Sequence, residues 1–184
     1  LITFLLLQFC NANAQIPKLT AQIGHKGRAT FVTINPAHTT IATTASDGVI
    51  KLWDIASGRL LRTLRGHRSK VNALKFSNDG KLLASGGYDQ TVKVWEVSTG
   101  MNLQTLTGHG SPVQAVSFSP DDLIVASGSG DFTKDSSDTS IRIWEVLSGK
   151  ETQRFEGHQK STSTLAFNSN GRYLVSGGWD NKVI

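Results

Sequence analysis

Short stretches in which apolar and polar residues alternate follow one another along most of the chain. Residues 71–77 (VNALKFS), 81–87 (KLLASGG), 91–97 (TVKVWEV) and 102–108 (NLQTLTG) alternate with a period of two, which is typical of β-strands. The turn at 77–81 (SNDGK) contains Asn, Asp and Gly, which tolerate the positive φ angles of tight hairpin turns. The pattern therefore predicts four strands joined by short turns into one antiparallel unit.

The third strand of each unit separates apolar side chains from a basic one. In Val92-Lys93-Val94, for example, the two valines share one face and the lysine occupies the other. A long basic side chain can lie along apolar surface and keep its charge in water. We expect this arrangement for the basic residues at equivalent positions, which are Lys51, Lys93 and Arg142.

Fixed spacings between Gly, His, Asp and Trp reveal an internal repeat. Gly-His pairs occur at 24–25, 66–67, 108–109 and 157–158, which are 42, 42 and 49 residues apart. Each His is followed after 22 residues by an Asp, and in the first two repeats a Trp follows that Asp after six residues. This regularity indicates a repeat protein, in which stacked units bury the faces that a single unit would leave exposed.

The repeat divides the chain into four units preceded by an N-terminal part. The predicted boundaries are 1–14 for a partial signal peptide, 15–23 for an N-terminal segment that could act as a closing strand, 24–65 for repeat 1, 66–107 for repeat 2, 108–156 for repeat 3 and 157–184 for repeat 4. Repeat 3 carries an insert at 131–138 between its second and third strands, and repeat 4 stops before its Trp.

These markers resemble those of the WD40 repeat family. The GH…WD signature occurs at 24–54, and its variant GH…WE occurs at 66–96 and 108–145. The resemblance implies an all-β fold, a β-propeller of four-stranded antiparallel blades around a central channel, with about four blades in this chain. Because four blades is the lower end for propellers, we expect an incomplete part of a larger ring, with an exposed apolar blade face.

Ser85, His67 and Asp89 are the side-chain types of a hydrolytic triad, with glycines beside the serine. A catalytic site is needed only once, whereas this set of side chains occurs in every repeat. Thr43 replaces the serine in the first repeat, and a hydrogen-bonding role requires only a hydroxyl. We therefore expect a structural role for these residues and no enzyme activity.

The WD40 resemblance implies that His, Ser or Thr, Asp and Trp form a hydrogen-bonded tetrad within each blade. In such a tetrad the Asp accepts from the imidazole, the hydroxyl bridges to the other ring nitrogen, and the indole N–H donates to the hydroxyl. In repeat 3 both Asp131 and Asp138 fit, because each keeps one of the two spacings. The implied sets are His25, Thr43, Asp47 and Trp53; His67, Ser85, Asp89 and Trp95; His109, Ser127 and Trp144 with Asp131 or Asp138; and His158, Ser176 and Asp180.

The resemblance also implies a face that binds protein partners. The contact positions on it are three and five residues after each His, and the residue just before each Asp. Tyr88 and Trp179 stand out because aromatic side chains contribute strongly to interfaces, although Trp179 could instead pack against a neighbouring blade. The implied positions are Arg28, Thr30, Ser46, Lys70, Asn72, Tyr88, Pro112, Gln114, Gly130, Ser161, Ser163 and Trp179.

The insert in repeat 3, DFTKDSSD (131–138), lengthens a loop on this face. Such loops commonly carry recognition, but its polar composition fits a tolerated loop without a binding role equally well. Its carboxylates match no calcium-loop pattern.

The net charge of +5 and the pI near 9.5 raise the question of nucleic-acid binding. Basic residues crowd between Arg59 and Lys70, but alternation of strand side chains prevents one continuous basic groove there. Aromatic residues that could stack on bases are not interleaved with them. We therefore expect protein partners and no nucleic acid. Because the recurrent histidines belong to different blades, we expect no metal site and no other cofactor.

The first residues, LITFLLLQFCNANA (1–14), combine an apolar run with small residues at Ala12 and Ala14, as in a signal-peptidase site. The apolar run ends at Cys10 and is shorter than the roughly 20 residues of a transmembrane helix. This pattern predicts cleavage after Ala14, secretion or export to the periplasm, and a mature chain with neither a membrane span nor a cysteine. The alternative is a buried strand in a cytoplasmic protein.

Two functions are consistent with the sequence. The first is an exported, non-catalytic WD40 scaffold that mediates protein–protein interaction. The second is the propeller portion of a multidomain secreted enzyme, such as the caspase-like peptidase fusions among bacterial proteins that this chain resembles. Nothing in residues 1–184 supplies that chemistry, so the scaffold is the preferred hypothesis. The partner's identity and the number of blades in the whole protein are left open.

Overall fold

The computed structural model describes residues 4–5, 21–22, 24–131 and 138–184. At the N-terminus, β1 (Phe4–Leu5) and β2 (Ala21–Gln22) pair as a two-stranded antiparallel sheet. The rest of the predicted signal peptide and closing strand lies outside the described residues, as do residues 132–137 of the insert.

Three antiparallel sheets of four strands account for the first three repeats, with the strands of each sheet side by side in chain order. The first sheet contains β3 (Ala29–Ile34), β4 (Thr40–Ala45), β5 (Ile50–Asp54) and β6 (Leu60–Leu64). The second contains β7 (Val71–Phe76), β8 (Leu82–Gly87), β9 (Val92–Glu96) and β10 (Asn102–Leu106). The third contains β11 (Val113–Phe118), β12 (Ile124–Ser129), β13 (Ile141–Glu145) and β14 (Glu151–Phe155). The predicted all-β fold of four-stranded blades is therefore confirmed.

The fourth blade contains β15 (Thr162–Phe167) and β16 (Leu174–Gly178). The last residues of the chain run antiparallel to β16, because Val183 bridges Gly177. Ser176 and Ile184 also exchange two backbone hydrogen bonds, of 2.8 and 3.0 Å. These contacts form the start of a third strand at the position that β5, β9 and β13 occupy in the other blades.

The blades stack side by side, and the apolar core lies between them. Ile50 and Leu52 of the first blade share one buried cluster with Leu74 and Phe76 of the second. The innermost strands β3, β7, β11 and β15 contact one another in succession. Residues from all four of these strands surround a central cavity of about 320 Å³. Stacking therefore buries the faces that a single blade would expose, as the sequence predicts.

The basic residues of the third strands depart from the prediction. Lys93 and Arg142 are only 9% and 7% exposed, so the expectation that their charges lie in water is wrong. The ammonium of Lys93 donates to Thr105 Oγ1 at 2.9 Å, and the guanidinium of Arg142 pairs with Glu151 at 2.6 Å. Polar partners on the adjacent fourth strand replace water around each charge, which makes burial tolerable.

Candidate functional site

The second blade brings the four side chains of its predicted tetrad into one hydrogen-bonded chain. His67 lies in the loop before β7 and places its Nδ1 3.0 Å from the Asp89 carboxylate and its Nε2 2.8 Å from Ser85 Oγ. Trp95 on β9 completes the chain, with its Nε1 2.8 Å from the same hydroxyl. The network therefore joins the entry loop, β8, the turn after β8, and β9.

The proton positions in this chain follow from which groups can only donate or only accept. An indole N–H can only donate and a carboxylate can only accept, so the Ser85 hydroxyl accepts from Trp95 and Nδ1 of His67 donates to Asp89. Burial lowers the pKa of His25 and His109 below the ordinary histidine value, which favours the neutral imidazole in those two blades.

The other blades repeat this arrangement. In the first, His25 lies 3.3 Å from Asp47 and 2.9 Å from Thr43, which accepts from Trp53 at 2.7 Å. In the third, His109 lies 3.4 Å from Asp138 and 2.7 Å from Ser127, which accepts from Trp144 at 2.8 Å. In the fourth, His158 lies 2.9 Å from both Asp180 and Ser176.

Asp138, rather than Asp131, contacts the third histidine. Its carboxylate accepts hydrogen bonds from the backbone N–H of Gly110 at 2.7 Å and from that of Ser140 at 2.9 Å. Asp131 instead accepts from the hydroxyl of Tyr88 in the second blade, at 2.7 Å. The spacing to the third strand therefore decides the pairing, because the turn that presents the carboxylate is continuous with that strand.

Hydrogen bonds keep the carboxylates of three tetrads charged although these groups are largely buried. Burial alone would raise the pKa of Asp138, but donors from His109 and the backbone of Gly110 outweigh it and hold this pKa far below the ordinary range. The same balance lowers the pKa of Asp89, and it lowers that of Asp180 to about 2. In these three blades the site therefore pairs an ionised carboxylate with an imidazole.

The glycines beside Ser85 permit close packing. A Cβ on Gly87 would lie 2.5 Å from His67 Nδ1, and one on Gly86 would lie 2.5 Å from a methyl group of Val113 in the next blade. Ser85 is fully buried, and both His67 and Trp95 bond its hydroxyl. A nucleophile must be reachable by its substrate, so this geometry fits an internal hydrogen-bond network and not an active site.

Thr91 also belongs to the hydrogen-bond network of the second blade, although the repeat markers do not predict it. Its hydroxyl donates to Asp89 at 2.9 Å, and its backbone N–H lies 3.3 Å from the same carboxylate. Asp side chains often accept a hydrogen bond from the backbone N–H two residues on, so the sequence Asp89-Gln90-Thr91 is the feature that could have indicated this contact.

The predicted partner-contact positions lie together at the end of the blades where β3, β7, β11 and β15 begin. Within each blade, the residue before the Asp donates its backbone N–H to the carbonyl of the residue three places after the His. These pairs are Ser46 with Arg28 (2.9 Å), Tyr88 with Lys70 (2.7 Å), Gly130 with Pro112 (3.0 Å) and Trp179 with Ser161 (2.9 Å). We call this end of the molecule the rim.

Thr30 and Asn72, the positions five residues after the histidines, connect neighbouring blades. The hydroxyl of Thr30 donates to the carbonyl of Val71 at 2.8 Å, and the amide of Asn72 donates to the carbonyl of Val113 at 3.3 Å. Each bond runs from one innermost strand to the first residue of the next. The side chains that line the rim are thereby held to the adjacent blade.

A cavity of about 620 Å³ opens on the rim between the first three blades. Six of its seven lining residues belong to the predicted contact positions, and the seventh, Ala29, lies between two of them. The lining residues are Arg28, Ala29, Thr30, Ser46, Lys70, Asn72 and Gln114. We call this space the rim cavity.

The remaining predicted positions differ in exposure. Trp179 is 59% exposed, and Ser163 is also exposed. Pro112, Gly130 and Ser161 are buried, so these residues are not exposed on the rim in this structure. A Cβ on Gly130 would clash with the backbone of Ser161, which shows how closely the third and fourth blades approach each other there.

The profile described as "WD domain, G-beta repeat" matches four segments of the chain, residues 17–54, 58–96, 100–145 and 149–184. The chain belongs to the WD40 repeat family. This confirms the resemblance inferred from the GH…WD spacing, and the described sheets are WD40 blades.

Curated WD40 relatives match parts of the chain. The Lissencephaly-1 homolog of Monosiga brevicollis is 38% identical over 64 residues, covering 35% of this chain and 16% of that protein. Dynein assembly factor with WD repeat domains 1 of Rattus norvegicus is 38% identical over 73 residues, covering 40% of this chain and 17% of that protein. The chain therefore aligns with only a small part of the length of each relative.

Solved structures match most of the chain. The computationally designed Ika4 protein superimposes with a TM-score of 0.75 and 37% identity, covering 88% of this chain and 92% of that one. U3-55K superimposes with the same TM-score of 0.75 at 26% identity, covering 88% of this chain and 52% of that one. Both matches support the blade arrangement described above.

The described part of the chain contains neither a cluster of metal-ligand side chains nor a membrane-spanning helix. Within residues 24–131 and 138–184, no three His, Cys, Asp or Glu side chains cluster as they would around a metal ion. The described residues also contain no helix of the length and hydropathy needed to cross a bilayer.

Proposed function

We propose that this chain is a non-catalytic WD40 scaffold and that its rim binds a protein partner. The observation that carries the proposal is the rim cavity, because residues from three separate blades converge on one concave surface there. Concave surfaces with a few convergent polar groups are the usual form of a binding site.

The buried tetrads support the same proposal. Each links a loop at the rim to the strands beneath it, so the loops that carry Arg28 and Lys70 are held by His25 and His67. A rigid surface loses less conformational entropy on binding than a mobile one. The hydrogen-bond networks therefore suit a scaffold that presents preorganised loops.

Charge reversal at the rim tests the proposal. The variant Arg28→Glu/Lys70→Glu alters two lining residues of the rim cavity, whereas Arg59→Glu/Lys150→Glu makes the same change in net charge in exposed turns at the other end of the blades. The wild-type chain and both variants are immobilised, and the proteins each one retains are identified by mass spectrometry. A retained protein is then purified and its Kd is measured against all three chains.

We expect the rim variant to raise this Kd by about tenfold or more, because charges at an interface are sensitive to reversal. The control variant should bind like the wild type. If the rim variant and the wild type bind every retained protein with equal affinity, the rim is not the binding surface.

The non-catalytic part of the proposal has its own test. Hydrolysis of a simple activated ester is measured for the wild type and for Ser85→Ala. We expect equal rates, because the Ser85 hydroxyl is buried within its tetrad. Activity that disappears with Ser85→Ala would identify a hydrolase.

A further inference from the structure

The rim cavity is cationic. Its only charged lining residues are Arg28 and Lys70, and the others are Ala, Thr, Ser, Asn and Gln. Arg28 is exposed and Lys70 is partly buried, so both can reach a ligand in the cavity. A concave surface that carries charges of one sign concentrates ligands of the opposite sign.

These two charges lack carboxylate partners among the described residues. Elsewhere in the described ranges, Lys81, Arg142 and Arg154 form ion pairs with Asp or Glu within 4 Å, whereas neither Arg28 nor Lys70 does. The tetrad carboxylates of the same two blades, Asp47 and Asp89, contact their histidines instead. The rim cavity therefore presents positive charge that the described part of the chain does not neutralise by contact.

A space of mixed polarity adjoins these charges. Gln114 lines both the rim cavity and the central cavity of about 320 Å³, so the two spaces meet at this residue. Phe31, Ala115 and Val116 contribute apolar surface to the central cavity, and Phe31 is 42% exposed. Lys75 and several hydroxyl side chains complete its lining. A ligand that reaches from the rim cavity into the central cavity meets positive charge first and the apolar surface around Phe31 next.

The walls between the two spaces are fixed in place. Thr30 and Asn72 bond to the next blade as described above, and the amide of Gln114 donates to the carbonyl of Gly130 at 2.9 Å. Side chains anchored in this way need little reordering when a ligand binds. The geometry therefore favours recognition of a short segment with a defined pattern of side chains.

We propose that the rim cavity binds a short segment of a protein partner in which acidic side chains flank an apolar one. The carboxylates pair with Arg28 and Lys70, and the apolar side chain enters the central cavity beside Phe31. This inference rests on the proposed function and specifies its ligand. A protein segment fits better than a nucleic acid, because the paired charges line one compact cavity and not a continuous track along the surface.

The test uses fluorescein-labelled pentapeptides and the full chain. The first peptide is Gly-Asp-Leu-Asp-Gly, and its neutral and basic counterparts carry Asn or Lys in place of both Asp residues. Binding is measured by fluorescence anisotropy. We expect the acidic peptide to bind about tenfold more tightly than the neutral one and to weaken as salt is added, because exposed charge pairs are screened.

Two variants separate the charged and apolar parts of the site. Arg28→Glu/Lys70→Glu should bind the basic peptide in preference to the acidic one, and Arg59→Glu/Lys150→Glu should behave like the wild type. Phe31→Ser should weaken binding of the acidic Leu peptide but leave unchanged that of Gly-Asp-Ser-Asp-Gly. Circular dichroism spectra that match the wild type exclude misfolding as the cause.

Equal affinity for all three charge types would overturn the inference, and so would tighter binding of a single-stranded oligonucleotide through Arg28 and Lys70. These results are distinct from failure of the proposed function. If rim variants lose a purified protein partner but the peptides show no charge preference, only the acidic specificity is wrong. If protein capture does not depend on the rim, the proposed function itself fails.

Discussion

The indole N–H of Trp95 donates to the hydroxyl of Ser85 across 2.8 Å, although the two residues lie on adjacent strands, ten positions apart in the chain. The same hydroxyl lies 2.8 Å from His67, so one small side chain joins two larger ones. All three side chains are buried. Water therefore cannot take the place of the Ser85 hydroxyl unless the surrounding side chains move. The hydroxyl is therefore the central connection of its blade.

Removing this hydroxyl should destabilise the second blade. We expect Ser85→Ala to lower the free energy of unfolding by about 1–3 kcal/mol, because it leaves the indole N–H and an imidazole nitrogen without a partner. The matched substitution Ser98→Ala removes an exposed hydroxyl and should change the free energy by less than about 0.5 kcal/mol. Urea denaturation followed by tryptophan fluorescence measures both. Equal effects would show that the tetrad does not stabilise the fold.

The carboxylates at the two ends of the insert, Asp131 and Asp138, should differ in their contribution to the stability of the fold. Both oxygens of the Asp138 carboxylate accept hydrogen bonds, from two backbone N–H groups and from His109. Asp138→Asn removes the charge and one of these oxygens, so we expect the free energy of unfolding to fall by about 1.5–3 kcal/mol. Asp131→Asn keeps an oxygen that can accept from Tyr88, so we expect a smaller loss. Thermal and urea denaturation of the two variants compare them directly. A larger loss for Asp131→Asn would contradict the assignment of Asp138 to the tetrad.

Stability should fall with acid in two stages. The pKa values of His25 and His109 are lowered in the folded chain. Below about pH 6.5, the pKa of histidine in the unfolded chain, the unfolded state therefore binds more protons than the folded state, and the free energy of unfolding decreases as the pH falls. The pKa values of Asp89, Asp138 and Asp180 are also lowered, so a second loss begins near pH 4, their unfolded value, and continues toward about 2 for Asp180.

Urea denaturation at a series of pH values measures this dependence. A free energy of unfolding that stays constant from neutral pH to about pH 5 would contradict the first stage. Repeating the series with Asp138→Asn isolates one contribution, since the second loss should be smaller in that variant.

Substitutions at two equivalent positions in neighbouring blades distinguish the contribution of packing to stability from that of strand propensity. Leu74 pairs in register with Ser85, and Val32 pairs in the same way with Thr43, but Leu74 is 3% exposed and Val32 is 52% exposed. We expect Leu74→Ala to cost about 2–5 kcal/mol because it leaves a cavity between blades. We expect Val32→Ala to cost less than about 1 kcal/mol. Comparable losses in urea denaturation would show that Val32 is buried in solution.

The sequence by itself determines the blades and the membership of the tetrads in the first two repeats. These features depend on short-range geometry, since consecutive antiparallel strands joined by short turns place residues such as Ser85 and Trp95 at fixed offsets. Because the same local pattern recurs in successive repeats, the spacings between Gly, His, Asp and Trp are sufficient to recognise the WD40 family. The spacings do not decide between Asp131 and Asp138 in the third repeat. The insert there separates the distance from His to Asp from the distance from Asp to Trp, so a different Asp satisfies each.

The tertiary structure alone decides how the blades face one another, because that depends on contacts between residues about 40 positions apart in the chain. It brings Arg28 and Lys70 to one cavity and buries Pro112 and Ser161, although all four lie three residues after the His of their repeat. It also encloses Lys93 and Arg142, whose partners lie on the next strand. A one-dimensional pattern specifies which side of a strand a residue takes, but burial depends on what packs against that side.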